Sequence, residues 1–214
     1  MKTETEYKFA LLDDRFPTLD TLRVTFVAAE LSLGPHGKRK QYDRYFDSRR
    51  GKLRRAGWAL RERTVDGKKL VALKSAGDVS GALHRREEIE LPLEDGDWPR
   101  EIRVRVAELV ALTRLEPLLD LHTNRTRFRV GVRGRSVAEI AFDEVRAARP
   151  GHDPAREMSV HFDEVEVEAA PDSEPDELAE VARLLESTMT LAPSASHKLE
   201  RAEALLSLAG SLEQ

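Results

Sequence analysis

Charged side chains return at every second position along separate stretches of this chain. Glu4, Glu6 and Lys8 do so in ETEYKF, and Arg61/Arg63, Arg86/Glu88/Glu90, Arg125/Arg127/Arg129 and Glu164/Glu166/Glu168 repeat the spacing. Glu139 and Asp143, four residues apart, keep the same phase. Residues i, i+2 and i+4 of a β-strand point to one face, so each set occupies one side of its strand. The residues between them include Leu60, Ile89, Phe128, Ile140, Phe142, Val165 and Val167, which are apolar. A single strand of this kind is ordinarily half of a sheet whose charged face meets water. Repetition in six segments argues differently, because the charged positions are nearly pure Glu, Asp and Arg, whereas a solvated face mixes Thr, Ser, Gln and Lys. The arrangement that uses them all turns the charged faces inward around a hydrated barrel lumen and covers the apolar faces with helices.

The two signs require each other in such a lumen. Clustered carboxylates repel a phosphate chain unless a cation lies between them, and clustered arginines repel one another unless an anion does. Carboxylate oxygens suit a hard divalent ion, and guanidinium and ammonium groups suit phosphate oxygens. An inward set of both signs therefore points to a metal-bound polyphosphate.

The remaining pattern supplies the other elements. WALRERTVDGKKLVALKS, with Asp66-Gly67 at its centre, predicts a β-hairpin with a tight turn. HRREEIELPL predicts a strand, RTRFRVGVRGRSVAEIAFDEV a second hairpin around Gly131 to Gly134, and HFDEVEVEAA a further strand. Helices are expected from about Thr18 to Ala29, in WPREIRVRVAELVAL, in EPDELAEVARLLES and in SASHKLERAEALLSLAG. GPHGKRKQ, residues 34 to 41, reads as a basic, Gly-bearing surface loop. The fold class is α+β, with a largely antiparallel sheet closed into a barrel, which removes exposed edges.

The 214 residues fit one domain, 1–214, with C-terminal helices from about residue 175. A formal net charge of −4 gives no global positive field, so no nucleic-acid partner is expected. The absence of cysteine excludes disulfides, thiolate metal sites and thiol nucleophiles. There is no apolar signal core and no apolar run of about 18 residues, so a cytoplasmic protein without a membrane partner is expected, as a monomer or homodimer. No P-loop signature is present. The six histidines lack close metal-ligand spacing and read as surface or structural, with His84 and His197 placed to shape a rim.

An ordered series of short segments resembles the CYTH superfamily, the triphosphate tunnel metalloenzymes. ETEYK matches its N-terminal E-x-E-x-K signature, followed by YFDS (45–48), ALRER (59–63), ALKS (72–75), RREEIEL (85–91), NRTRF (124–128), AEIAFDEV (138–145), DEVEVE (163–168) and SASHK (194–198). The resemblance implies an eight-stranded antiparallel barrel enclosing a tunnel, and Mg²⁺ or Mn²⁺ as cofactor. By position it assigns Glu4, Glu6, Asp143, Glu164 and Glu166 as metal ligands, with Glu4, Glu6, Lys8 and Asp143 as the catalytic set. It assigns Lys8, Arg61, Arg63, Lys74, Arg86, Arg125, Arg127 and Lys198 to the triphosphate, and Glu88 and Glu90 to orienting arginines or holding water. Val145 stands where the family commonly has Gly. The C-terminal acid pair is Glu164/Glu166, favoured because Ala169, Ala170 and Pro171 then end the strand, or Glu166/Glu168. SAGDVSGALHRREEIELPL is similar to the matching stretch of bacterial inorganic triphosphatases, which implies hydrolysis of tripolyphosphate to pyrophosphate and phosphate. Adenylate cyclases and thiamine triphosphatases of the same superfamily, and a noncatalytic polyphosphate- or nucleotide-binding module, are the alternatives.

Overall fold

The structure, a computed structural model, describes residues 1–152 and 158–212. Eight strands close into an antiparallel barrel: β1 (Lys2–Leu11), β9 (Ser159–Ala169), β8 (Arg135–Ala148), β7 (Leu115–Val132), β2 (Ser32–Ser48), β3 (Trp58–Val65), β4 (Lys68–Ser75) and β6 (Leu83–Pro92) in spatial order. Pairing of β1 with β6, from Lys2↔Glu88 to Tyr7↔Leu83, closes the ring. Two three-residue strands, β5 (Asp78–Ser80) and β10 (Leu191–Pro193), extend β6 and β1.

The turns follow from local chemistry. Asp66 and Gly67 take φ of 50° and 74° and join β3 to β4 in register Val65↔Lys68, the double positive φ of a two-residue hairpin loop. Arg133 and Gly134 do the same between β7 and β8. Both predicted hairpins are present. The segment 34–41 is strand, not surface loop: β2 pairs with β7 from Ser32↔Gly131 to Ser48↔Leu115. Its Gly and Pro residues are absorbed where the register shifts between Pro35 and Gly37, the usual place for such residues inside a sheet.

Among the described residues there are five α-helices, α1 (Leu19–Ala28), α2 (Lys52–Arg55), α3 (Arg100–Leu109), α4 (Pro175–Thr188) and α5 (Lys198–Leu212). Thr18 caps α1 by accepting from the Thr21 N–H at 3.2 Å. Glu174 and Glu177 form a reciprocal capping box on α4, with Pro175 in its first turn. The outward apolar residues of β1, β7, β8 and β9 are covered by α1, through Leu22 and Phe26, and by α4, through Val181 and Leu185. Those of β3, β4 and β6 are covered by Ile102 and Val106 of α3. Full burial of a side chain such as Phe26 stabilises by about 1.5–3 kcal/mol, and truncating it to Ala costs about 3–5 kcal/mol.

The helices lie outside the barrel as expected, and the last of them also closes one of its ends. Leu199 and Ala202 of α5 pack on Tyr45, Leu121, Val145, Ala147 and Phe162. Val145 and Ala147 share the parity of Asp143, Leu121 that of Arg125, and Phe162 that of Glu164, so these are inward-facing positions. α5 therefore seals one end of the barrel interior, and the lining changes there from charged to apolar. None of the described helices is long and apolar enough to cross a membrane.

Candidate active site

The open part of the interior is one cavity of about 240 Å³. Lys2, Glu4, Glu6 and Lys8 reach it from β1, Arg61 and Arg63 from β3, Lys74 from β4, Arg86, Glu88 and Glu90 from β6, Arg125 from β7, Glu166 and Glu168 from β9, and His197 and Lys198 from the start of α5. Strand parity puts these side chains on one inner face while the alternate residues enter the outer cores.

Three clusters organise the charges. On the β1–β6 wall, Arg86 Nε donates to Glu4 Oε2 at 2.6 Å, and its Nη2 lies 2.8 Å from Glu6 Oε1. Lys74 Nζ donates to both Glu4 oxygens at 3.1 Å and lies 2.9 Å from Glu88. Burial alone would raise the Glu4 pKa, but Lys74 and Arg86 outweigh it and hold the group ionised, well below the usual carboxylate range.

The second cluster lies on the opposite wall. Asp43 of β2, 1% exposed, accepts a fork from Arg63 at 2.7 Å on each oxygen and has Arg61 Nη1 at 3.6 Å. Burial opposes ionisation, yet Arg63 and Arg61 bring the Asp43 pKa down to about 2. The sequence reading does not assign Asp43, which lies just past the segment 34–41 that reads as a loop and so has no strand phase of its own. The alternation Gln41, Asp43, Tyr45, all buried, is the signal that carries it. Arg61 is held loosely: its carboxylate contacts lie at 3.5 Å (Glu90), 3.6 Å (Asp43) and 4.0 Å (Glu88), and its buried Nε has no hydrogen-bond partner.

The third cluster joins the cavity residues Lys8, Arg125, Glu166 and Lys198 to Asp143 and Glu164 behind them. Lys198 Nζ is 2.9 Å from Asp143, 2.7 Å from Glu164 and 2.5 Å from Glu166. Arg125 forks onto Asp143 at 2.8 and 2.6 Å and also donates to Glu166. Lys8 Nζ donates to Glu166 at 2.8 Å, with Glu6 at 3.3 Å and Glu164 at 3.9 Å. Burial pushes the Glu164 carboxyl up, whereas for Asp143 and Glu166 the surrounding cations override burial and pull the pKa down.

The assigned residues thus separate by position. Asp143 and Glu164 are fully buried, do not line the cavity, and lie against Lys198 and Arg125. Of the two acid pairs left open on β9, Glu166/Glu168 lines the cavity, because the register Glu6↔Glu168 and Lys8↔Glu166 sets that pair against the E-x-E-x-K residues, while Glu164 falls opposite Ala10. Arg127 is also outside the lining, donating to Glu139 at 3.3 Å and to the His36 carbonyl at 3.1 Å. His197 does line the cavity, and burial together with Arg86 and Lys8 lowers its pKa to about 3, so the imidazole is neutral.

Glu4, Glu6, Glu166 and Glu168 present hard oxygen donors to a shared space, the donor chemistry of a divalent cation such as Mg²⁺ or Mn²⁺. Burial and the facing Glu4 and Glu6 push the Glu168 carboxyl up to about 7. Glu6 Oε1 is buried without a hydrogen bond of good geometry, in ion-pair contact with Arg86 at 2.8 Å and Lys8 at 3.3 Å. As they stand, the lysines and arginines hold these acids apart, and among the described residues no group of three His, Asp or Glu side chains is arranged around an ion. The set fits the cation in chemistry, and closing on it requires the carboxylates to turn from their present partners.

No curated protein shows significant sequence similarity to the chain. Among solved structures, a Hippeastrum protein provisionally assigned as an adenylyl cyclase, and described as having a dominant triphosphatase activity, superposes with a TM-score of 0.65 at 21% identity, covering 94% of this chain and 95% of its own. A Bacillus halodurans protein provisionally assigned as an adenylate cyclase gives 0.60 at 17% identity, covering 94% and 98%. These likenesses concern the fold. The sequence model of the CYTH domain matches residues 2–202, nearly the whole chain, and the protein belongs to the CYTH domain family.

Proposed function

We propose that this protein is a divalent-metal-dependent hydrolase that cleaves inorganic triphosphate to pyrophosphate and phosphate within the barrel. The observation that carries the reading is the shared cavity, where cations from β1, β3, β4, β7 and α5 face the acids of β1 and β9. The triphosphatase activity described for the Hippeastrum protein is of the same reaction class. Glu4, Glu6, Glu166 and Glu168 would hold Mg²⁺ or Mn²⁺, with Asp143 and Glu164 acting from behind by fixing Arg125 and Lys198. When bound, the ion supplies Lewis-acid neutralisation of charge on the phosphoryl and leaving oxygens.

Arg61 is the cation readiest to receive phosphate oxygens, since its donors are the least engaged. Arg63, held by Asp43, keeps a second guanidinium fixed beside it, so the donors that meet charge developing in the transition state are oriented beforehand. Lys8, Arg125 and Lys198, shared among several carboxylates, transfer part of their interaction to the phosphate chain as the acids take up the cation. The barrel wall limits access of bulk water, which strengthens each of these interactions. The chain has no cysteine, and no covalent intermediate is invoked.

One observation favours a second reading. Trp58 lines the cavity, its ring held under the Arg105 guanidinium at 5.2 Å, and a ring-bearing triphosphate such as a nucleoside or thiamine triphosphate would find an aromatic surface there. The deciding experiment incubates purified protein with Mg²⁺ or Mn²⁺ and tripolyphosphate, ATP, thiamine triphosphate or pyrophosphate, following phosphate, pyrophosphate and cyclic AMP. Equal yields of phosphate and pyrophosphate from tripolyphosphate, lost in Glu6→Gln, support the proposal. Cyclic AMP from ATP, or undiminished phosphate release by the variant after chelation and metal repletion, would overturn it.

A further inference from the structure

Each of the three guanidinium nitrogens of Arg86, a cavity-lining residue, faces a protein partner. Nε is committed to Glu4 and Nη2 to Glu6, while Nη1 lies 3.1 Å from His197 Nδ1. The other ring nitrogen of His197, Nε2, lies 3.2 Å from the Ala76 carbonyl oxygen. A carbonyl only accepts, so Nε2 carries the hydrogen; Arg only donates, so Nδ1 offers its lone pair. The two contacts fix one neutral tautomer, which satisfies both ends of the ring. The ring is itself located by His84, tilted edge-on at a centroid distance of 5.1 Å, and by the His197 N–H, which donates to Glu200 at 3.0 Å in the first turn of α5. A relay thus runs from the Ala76 carbonyl through His197 to Arg86, and from Arg86 to both acids of the E-x-E-x-K segment.

We propose that His197 is a positioning residue which, by accepting from Arg86 Nη1, orients that guanidinium so that Glu4 and Glu6 are held as a pair for the divalent cation. The inference rests on the proposed hydrolase reading and adds a role for which the sequence offered no signal. It also changes the role of Arg86: with all three nitrogens engaged by protein, it acts on the acids before it acts on substrate. Lys74 cannot substitute, because its ammonium bridges Glu4 to Glu88 and has no recorded contact with Glu6. Without the imidazole, Nη1 loses that acceptor, and the guanidinium is held by Glu4 and Glu6 alone.

The test uses the full chain with His197→Phe, which keeps a ring against His84 but neither hydrogen bond, and His197→Gln, whose amide can both donate and accept. Mn²⁺ affinity is measured by titration calorimetry without substrate. Loss of an outer-shell partner typically weakens metal binding about 10- to 100-fold, and this is the fall expected for H197F, with H197Q recovering most of it. Turnover by H197F should recover as Mn²⁺ is raised, with KM for tripolyphosphate at saturating metal unchanged. A second readout needs no metal: the side-chain Nε–H NMR signal of Arg86, assigned by its loss in Arg86→Lys. It should exchange slowly with water in wild type and H197Q and rapidly in H197F. Wild-type Mn²⁺ affinity in folded H197F, or an unchanged Arg86 signal, overturns the inference. Should wild type itself bind no Mn²⁺, the hydrolase reading fails, and the Arg86 signal still decides whether His197 orients the guanidinium.

Discussion

Replacing Asp43 by Asn tests whether the charged interior is held together by specific pairs. Asp43 is buried between Arg61 and Arg63, and its pKa falls from 3.8 to about 2. At 1.36 kcal/mol per unit, that shift corresponds to about 2–3 kcal/mol of folding free energy at neutral pH. The sign follows from linkage: the folded pKa is depressed, so the contribution is complete above the unfolded value and is lost as pH falls toward 2. At pH 3 it should be about half its neutral value. Asp43→Asn keeps the volume and removes the charge, so urea unfolding at pH 7 should show a loss of about 2–3 kcal/mol. Asp43→Ala, which leaves two buried guanidinium groups facing each other, should lose about 3–5 kcal/mol. Tripolyphosphate should stabilise Asp43→Asn more than wild type if it supplies the missing negative charge between the arginines. A difference between wild type and Asp43→Asn below about 0.5 kcal/mol at pH 7, or one that stays constant down to pH 3, would refute the assignment.

Arg61→Ala should raise KM for tripolyphosphate about 10- to 100-fold in steady-state assays, the worth of charged hydrogen bonds, while its loose pairs predict less loss of stability than Asp43→Ala. Glu168 titrates near 7 instead of 4.5, so the folded state loses stability as pH rises between those values. With the side chain 37% exposed and therefore screened, Glu168→Gln should stabilise the metal-free protein by about 1 kcal/mol at pH 8 and negligibly at pH 4, as read from thermal melts at both pH values. Gly77 sits at φ +66°, where an added Cβ would lie 2.2 Å from the Arg85 carbonyl oxygen. Gly77→Ala should cost about 2–4 kcal/mol by urea denaturation.

The barrel was legible because β-strands write their geometry into the sequence with a period of two, and Glu88/Glu90, Arg127/Arg129 and Glu164/Glu166/Glu168 carry that period with Ile89, Phe128, Val165 and Val167 between them. What stayed hidden depends on partners distant in the chain. Residues 34–41 look like a loop locally, with Gly and Pro that disfavour strands, and become strand because β7 offers a continuous ladder from Ser32↔Gly131 onward. With that segment reading as loop, nothing local sets the phase of Asp43, the anchor of Arg61 and Arg63. The acid pair on β9 was ambiguous for a related reason. Three glutamates at 164, 166 and 168 share one face, and only registration against β1 shows that Glu168 lies opposite Glu6, Glu166 opposite Lys8 and Glu164 opposite Ala10.

The same inner face has a second property that alternation alone could not announce. Along β8 it runs from Asp143 to Val145 and Ala147, and along β9, in the reverse direction, from Glu164 to Phe162. The positions past the charged ones are apolar because α5 enters that end of the barrel and packs on them. Val145, which stands where the family commonly has Gly, is part of this contact with α5, and its side chain is fully buried. α5 also begins with His197 and Lys198, so its apolar seal and its two cavity residues are positioned together. The depth at which Lys198 reaches Asp143, Glu164 and Glu166 is therefore set partly by Leu199 and Ala202 against the barrel wall. That coupling joins packing to electrostatics: a change that loosens the seal should weaken the hold of Lys198 on all three carboxylates at once, without altering any charge.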